Sequence, residues 1–227
     1  MTCSCQFRSF IRTCSLDPMV TKIGIDIWTM DGPDVVFAGA PMQTRMTVVR
    51  LHDGRLWVHS PIELGEKTRA FLKETGGEVA ALIAPNKFHY MSIDAWRDAF
   101  PDAELFVEED LARKVSSLAD ADVLTNSAPD VYSRDIDQVI FGGNRMFREA
   151  VFFHKRSRSL IFTDLMQNLK TDGVKLIPRL YLQFEGITYP NGGVPRLYRW
   201  FSSDKARARE ALRVITDWKP KHLLFCH

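Results

Sequence analysis

Residues 78–107 read EVAALIAPNKFHYMSIDAWRDAFPDAELFV, and this stretch decides the fold. The apolar run Val79 to Ala84 has the length of a fully buried strand. Pro85-Asn86 cannot extend it, so a polar loop carrying His89 is presented just past its end. In open α/β sheets that end of the strands is where ligands bind. Phe100-Pro101-Asp102 closes the short helix that follows, and Glu104 to Val107 returns to the sheet. The pattern is strand, polar loop, helix, strand.

Upstream, the chain is strand-rich. Ile23, Ile25 and Ile27 alternate with Gly24 and Asp26, and Val35 to Phe37 forms a second short strand after the turn Asp31-Gly32-Pro33. Thr44 to Leu51 and Arg55 to Ser60 flank His52-Asp53-Gly54, a hairpin in which Asp-Gly supplies the positive φ angles. A helix from Ile62 to Gly76 follows, stopped by Gly76-Gly77. Downstream, Glu109 to Val115 reads as a helix and Leu118 to Arg134 as loop. Val139 to Phe141, Ala150 to His154 and Ser159 to Thr163 read as strands. Thr171 to Gly193, rich in Gly and Pro, reads as irregular. Asp204 to Trp218 is a helix with Ala208, Leu212 and Ile215 on one face, and Leu223 to Phe225 is a closing strand. Two mixed sheets with helices on their outer faces would bury all of this. No internal repeat is present.

A chain of 227 residues, 45% hydrophobic and 26% charged, has an ordinary globular composition. The net charge of +2 exerts no strong pull on nucleic acid, and the basic clusters are not interleaved with aromatics. No apolar run approaches about 18 residues, so no membrane span is expected. Cys3, Cys5 and Cys14 crowd the start and Cys226 stands alone, which is no disulfide framework and points to a reducing, cytoplasmic setting. Cys3-x-Cys5 lacks partners for a metal site. Residues 1–18 are Arg-bearing and poor in acid, and read as a flexible extension. An organelle transit peptide and an upstream extension before Met19 both stay open.

The framework of 78–107 resembles the metal-binding core of the metallo-β-lactamase superfamily, in which a strand ends in a His-x-His-x-Asp-His loop followed by a helix, Phe-Pro and another strand. The resemblance runs from about Ile23 to His227. It is similar to one branch, a group of such domains of unknown function, through Thr44-Arg45-Met46-Thr47, His59-Ser60-Pro61, Ala84-Pro85-Asn86 to His89, Thr163-Asp164-Leu165 and Arg209-x-x-Leu212. It implies an α/β fold, the αβ/βα four-layer sandwich of two mixed β-sheets with outer helices, over residues 19–227 as one domain. The superfamily continues beyond its late strand, which implies a sequence truncated after His227.

The motif itself is depleted. In one register Asn86 stands for the second motif His and His89 for the last, with Ala84 and Phe88 at the first His and the Asp. In the other, shifted by one residue, His89 stands for the Asp and Tyr90 for the last His. Asp164 in Thr-Asp-Leu resembles the superfamily's metal-bridging Asp, and His227 resembles its late His. The remaining His has no counterpart in 142–151. The implied set is one metal on His89, Asp164 and His227: zinc first, with iron or manganese behind it. Glu149 and His154 are candidates to orient those ligands, and Asn86 and Tyr90 are candidates for catalysis. The implied activity is metal-dependent hydrolysis of a small-molecule substrate. The alternative is a descendant that binds a ligand or protein partner without metal. Asp164 alone could also serve as a helix cap. If the metal reading holds, the three donors should converge to about 3–4 Å of one another.

Overall fold

The computed structural model describes residues 19–37, 40–144 and 147–227. The readings of residues 1–18 and of Cys3-x-Cys5 therefore lie outside the described residues. Alternating side chains build the N-terminal third: β1 (Val20–Gly24), β2 (Ile27–Asp31), β3 (Val35–Phe37), β4 (Ala40–Met42), β5 (Arg45–Arg50) and β6 (Leu56–His59). The single strand expected across Ile23 to Ile27 is instead a hairpin. Asp26 takes φ 59°, turning the chain between β1 and β2. After α1 (Glu66–Thr75), β7 (Val79–Ala84), α2 (Ile93–Ala99) and β8 (Glu104–Val107) follow the predicted order. Next come α3 (Glu109–Lys114), β9 (Asp122–Val123), α4 (Asp130–Ser133), β10 (Ile136–Phe141), β11 (Glu149–His154) and β12 (Ser159–Ile161). The chain ends with α5 (Leu176–Glu185), α6 (Arg196–Trp200), α7 (Lys205–Asp217) and β13 (His222–Leu224).

One sheet runs β1-β2-β5-β6-β7-β8-β9 and a second runs β10-β11-β12-β13, while β3 and β4 pair apart. Both sheets are mixed: β6 to β9 are parallel, as are β12 and β13, and the other pairs are antiparallel. Period-two alternation sends alternate residues to opposite layers. Leu82 and Ala84 face α1 and α2, joining Phe71, Leu72, Ile93 and Trp96. Ala81 and Ile83 face inward, where Trp57, Phe106, Ile140, Phe152 and Ile161 fill the space between the sheets. On the far side, Val151 and Leu160 pack beneath Ala211 and Ile215 of α7. The result is a four-layer αβ/βα sandwich, as the sequence predicts. No helix among the described residues is long and apolar enough to cross a membrane.

Two further expectations are corrected. The buried stripe of α7 is Ala211 and Ile215, with Leu212 half exposed, because a neighbouring stripe with Val214 and Trp218 packs against the sheet instead. Residues 171–193 contain a ten-residue helix, α5, rather than being irregular throughout. Pro178 sits in its first turn, where an N–H would have no intrahelical partner in any case.

Candidate metal site

Parallel neighbours end on the same side of a sheet, and that edge gathers the site. Ser60 follows β6, Asn86 follows β7, Asp164 follows β12 by three residues and His227 follows β13 by three. The two sheets are tied together here by the Ala150 N–H, which donates to the Pro85 carbonyl at 2.9 Å.

Asn86 shapes the loop. Its Oδ1 accepts the N–H of Phe88 at 2.8 Å and of His89 at 3.2 Å, an Asx turn that aims His89 across the edge. Its amide nitrogen donates to Thr163 Oγ1 at 2.7 Å and to Asp164 Oδ2 at 2.9 Å. The side chain is fully buried, and both ends of its amide are engaged within the protein.

Asp164 is held from behind. The Glu149 carboxylate accepts the N–H groups of Thr163, Asp164 and Leu165, so three successive backbone donors converge on one buried side chain. No helix begins at Asp164, so the capping role is not realised. Gln167 Nε2 adds a donor to Asp164 Oδ1 at 3.3 Å.

The three expected donors meet. His89 Nε2 lies 3.2 Å from Asp164 Oδ2, His227 Nε2 lies 3.4 Å from Asp164 Oδ1, and the two Nε2 atoms are 3.3 Å apart. Donors about 2.0–2.1 Å from one tetrahedral ion sit roughly 3.3 Å from each other, so the spacing suits a single ion. His227 Nδ1 lies 2.6 Å from the Gln43 carbonyl. A carbonyl can only accept, so Nδ1 carries the proton and the neutral ring turns a lone pair inward. His89 Nδ1 lies 2.7 Å from Ser60 Oγ, which fixes the second ring. With both rings neutral, at most one ring proton lies between these four atoms, and either a metal ion or a further proton relieves the crowding of lone pairs. Two imidazoles and a carboxylate are a fitting donor set for zinc, and for non-haem iron or manganese.

Without an ion, the same groups keep Asp164 ionised and draw His227 toward its protonated form. Burial pushes the Asp164 carboxyl up, but the His89 and His227 imidazoles outweigh it and hold Asp164 well below the usual carboxylate range. Burial pulls His227 down, and its bond to Asp164 outweighs that and raises it. Burial, and then the Asp164 charge, push Glu149 up to about 7. Burial also pushes up the Cys226 thiol, which donates to the Arg45 carbonyl and is no nucleophile in this setting.

His154 lies elsewhere. It stands at the opposite end of β11 from Glu149, about 17 Å along the strand, bonded to Ser157 Oγ at 2.7 Å. The sequence proximity to Asp164 misleads because an antiparallel turn intervenes. Tyr90 packs against the helix side of the first sheet with the Lys114 ammonium over its ring. Among the described hydrogen bonds none joins it to His89, Asp164 or His227. Ser60 and Gln43, which orient the two rings, are not singled out by any sequence spacing. Ser60 offered one faint signal: a residue directly following a strand of the parallel set.

The family model described as a domain of unknown function, DUF4336, matches residues 25–186. No curated protein matches the chain in sequence. Among solved structures, the DIM-1 metallo-β-lactamase exposed to ceftazidime is 12% identical with a TM-score of 0.63, covering 93% of this chain and 90% of that one. A metallo-β-lactamase from Pontibacter korlensis is 14% identical with a TM-score of 0.56, over 88% of this chain and 100% of that one. The metal-soaked Flv1 flavodiiron core from Synechocystis sp. PCC6803 is 11% identical with a TM-score of 0.58, over 92% of this chain and 56% of that one. Likeness at these identities shows the fold, which is the metallo-β-lactamase fold. The chain belongs to the DUF4336 family.

Proposed function

We propose that this DUF4336 member is a metal-dependent hydrolase-like protein in which His89, Asp164 and His227 hold one ion, zinc ahead of iron or manganese. The observation that carries the reading is the convergence of His89, Asp164 and His227, whose ligand atoms, one from each, all lie within 4.8 Å of one another, with the His227 tautomer set by the Gln43 carbonyl. Bound zinc would supply Lewis acidity, acidifying water and polarising the oxygen of an ester, thioester, amide or phosphoester. The chain's own groups do the rest. Gln43 and Ser60 fix the two rings by their Nδ1 atoms, and Glu149, Asn86 and Gln167 hold the carboxylate. Asn86 acts as a positioning residue, since its amide is spent on Asp164, Thr163 and the loop backbone.

Elemental analysis of protein purified without a His tag or chelator tests this, beside a His89→Ala/Asp164→Ala variant whose folding is verified by circular dichroism. Stoichiometric zinc, iron or manganese in the wild type, lost in the variant, is the expected result. One observation favours a second reading, a non-catalytic ligand binder: the Asn86 amide caps Asp164 Oδ2, the oxygen that faces His89. Well-folded wild-type protein without stoichiometric metal would overturn the first reading in favour of this one.

A further inference from the structure

Beyond the site, α5 is built the wrong way out for a helix in a sandwich. A surface helix ordinarily turns its apolar stripe to the core. Here Ile177, Leu180, Tyr181 and Phe184, at i, i+3, i+4 and i+7, share the solvent face, and Ile177, Leu180 and Phe184 are 80%, 54% and 50% exposed. The inward face carries Leu182 and Glu185, both buried. The Glu185 carboxylate accepts the Leu197 N–H at 2.9 Å and so clamps α6 alongside. That places Trp200, 64% exposed, edge-on to Phe184 with ring centroids 5.6 Å apart. The outward apolar surface therefore spans two helices and includes three aromatic rings.

The charge around this surface is one-sided. From residue 170 to 203 the cations are Lys170, Lys175, Arg179, Arg196 and Arg199, all exposed. The acids are Asp172 and the buried Glu185. Arg196 lies over the Phe184 ring, 5.5 Å from its centroid, so basic and apolar groups are interleaved on one face. An aromatic-bearing helix face with Arg196 lying on it, in a segment whose exposed charges are nearly all cationic, is the pattern of a helix that lies in a bilayer interface. A second copy of the chain fits poorly, because a self-complementary contact would set these cations against themselves.

We propose that α5 and α6 form a docking surface for an anionic lipid bilayer, with Ile177, Leu180, Phe184 and Trp200 entering the interface and Arg196 and its neighbouring cations meeting the headgroups. The interaction is peripheral and reversible. It does not depend on the metal reading.

Flotation of the full chain with vesicles tests it, using phosphatidylcholine alone and phosphatidylcholine mixed with phosphatidylglycerol. Binding is expected on the mixed vesicles, with little on the neutral ones, weakening as salt is raised. Arg196→Gln/Arg199→Gln should lower the partition coefficient by roughly 25-fold, about five-fold per cation. Ile177→Ser/Phe184→Ser should abolish binding with at most a small fall in the thermal melt, since Ile177 points to solvent and Phe184, half exposed, touches only Trp200 and Arg196 among the described contacts. Failure to float with anionic vesicles, or equal flotation of the Ile177→Ser/Phe184→Ser variant, overturns the proposal. So does a concentration-dependent dimer in light scattering that the same variant dissolves, which would assign the face to a second copy.

Discussion

Replacing Glu149 with Gln tests how the site is held. The Glu149 carboxylate is fully buried; Oε1 takes the Thr163 N–H at 2.5 Å, while Oε2 takes those of Asp164 at 2.9 Å and Leu165 at 3.0 Å. Glutamine has the same shape but a single acceptor oxygen. Its better flip keeps that oxygen on Asp164 and Leu165 and turns the NH2 group onto the Thr163 N–H. One buried donor then loses its acceptor, at a cost of about 1–3 kcal/mol. Part of that is offset, because the ionised Glu149 is itself unfavourable beside Asp164: burial and that neighbouring charge push its carboxyl up to about 7. The expected net loss at pH 8 is about 1–2 kcal/mol, a fall of roughly 2–8 °C in Tm for a chain of this size. Glu149→Ala orphans all three N–H groups and leaves a cavity, so its loss should be at least twice as large. The assay is calorimetric unfolding with chelator present, which removes any contribution from bound metal. A Glu149→Gln melt at the wild-type temperature, or an Ala variant no worse than Gln, would refute the idea that this carboxylate organises the Thr163–Leu165 turn.

Two further outcomes are expected. Asn86→Asp sets a second carboxylate against Asp164 Oδ2, where the Asn86 amide now donates at 2.9 Å. The metal-free protein should lose about 3–5 kcal/mol in chemical denaturation, and added zinc should restore more stability to the variant than it adds to the wild type; an unchanged denaturation midpoint would show that Asp164 is already protonated or turned away. Glu108 caps α3 by accepting the Asp110 N–H at 2.8 Å, and burial, with the Asp110 charge, pushes its carboxyl from 4.5 up to about 7 despite Arg148 alongside. A carboxyl raised on folding is protonated more readily in the native state, so its contribution is fully present below about 4.5 and is lost as pH rises through about 7. Glu108→Gln keeps an acceptor for the cap and should flatten the stability profile across that window, which melts recorded from pH 4 to 8 would check.

The sheets were legible because their strands are buried on both faces or alternate strictly. Val79–Ala84 and Glu104–Val107 carry their ends in the sequence itself, at Pro85 and after Pro101. The α5 helix was not legible for two physical reasons. Pro178 reads as a breaker unless its place in the first turn is known, and an apolar stripe turned outward cannot be told by periodicity from one turned inward. The α7 stripe erred by one position for a related reason, since at 3.6 residues per turn Ala208-Leu212-Ile215 and Ala211-Ile215 are adjacent faces of one cylinder.

At the site, the sequence carries identities but not meetings. His89, Asp164 and His227 each follow a strand, and strand ends are readable; that the three ends share one edge depends on β6 to β8 and β12 to β13 running parallel. What orients them is harder still to read. Gln43 and Ser60 are 184 and 29 residues from the rings they hold. Alternation along β6 and the bend after it send His59 and Ser60 to different places. His59 turns inward to stack on Trp57 at 5.5 Å, and Ser60, one residue on and at a positive φ of 53°, turns to His89. A left-handed Ser at that bend is strained by about 1–3 kcal/mol, and such strain persists where the surroundings over-determine it. Here the surroundings are the Ser60 N–H donating to the Ile83 carbonyl at 2.9 Å and the Oγ contact to His89 Nδ1. Both disappear if β6 and β7 separate. The orientation of His89 is therefore coupled to the parallel pairing of the central strands, which makes the ligand set a property of the sandwich rather than of its loop.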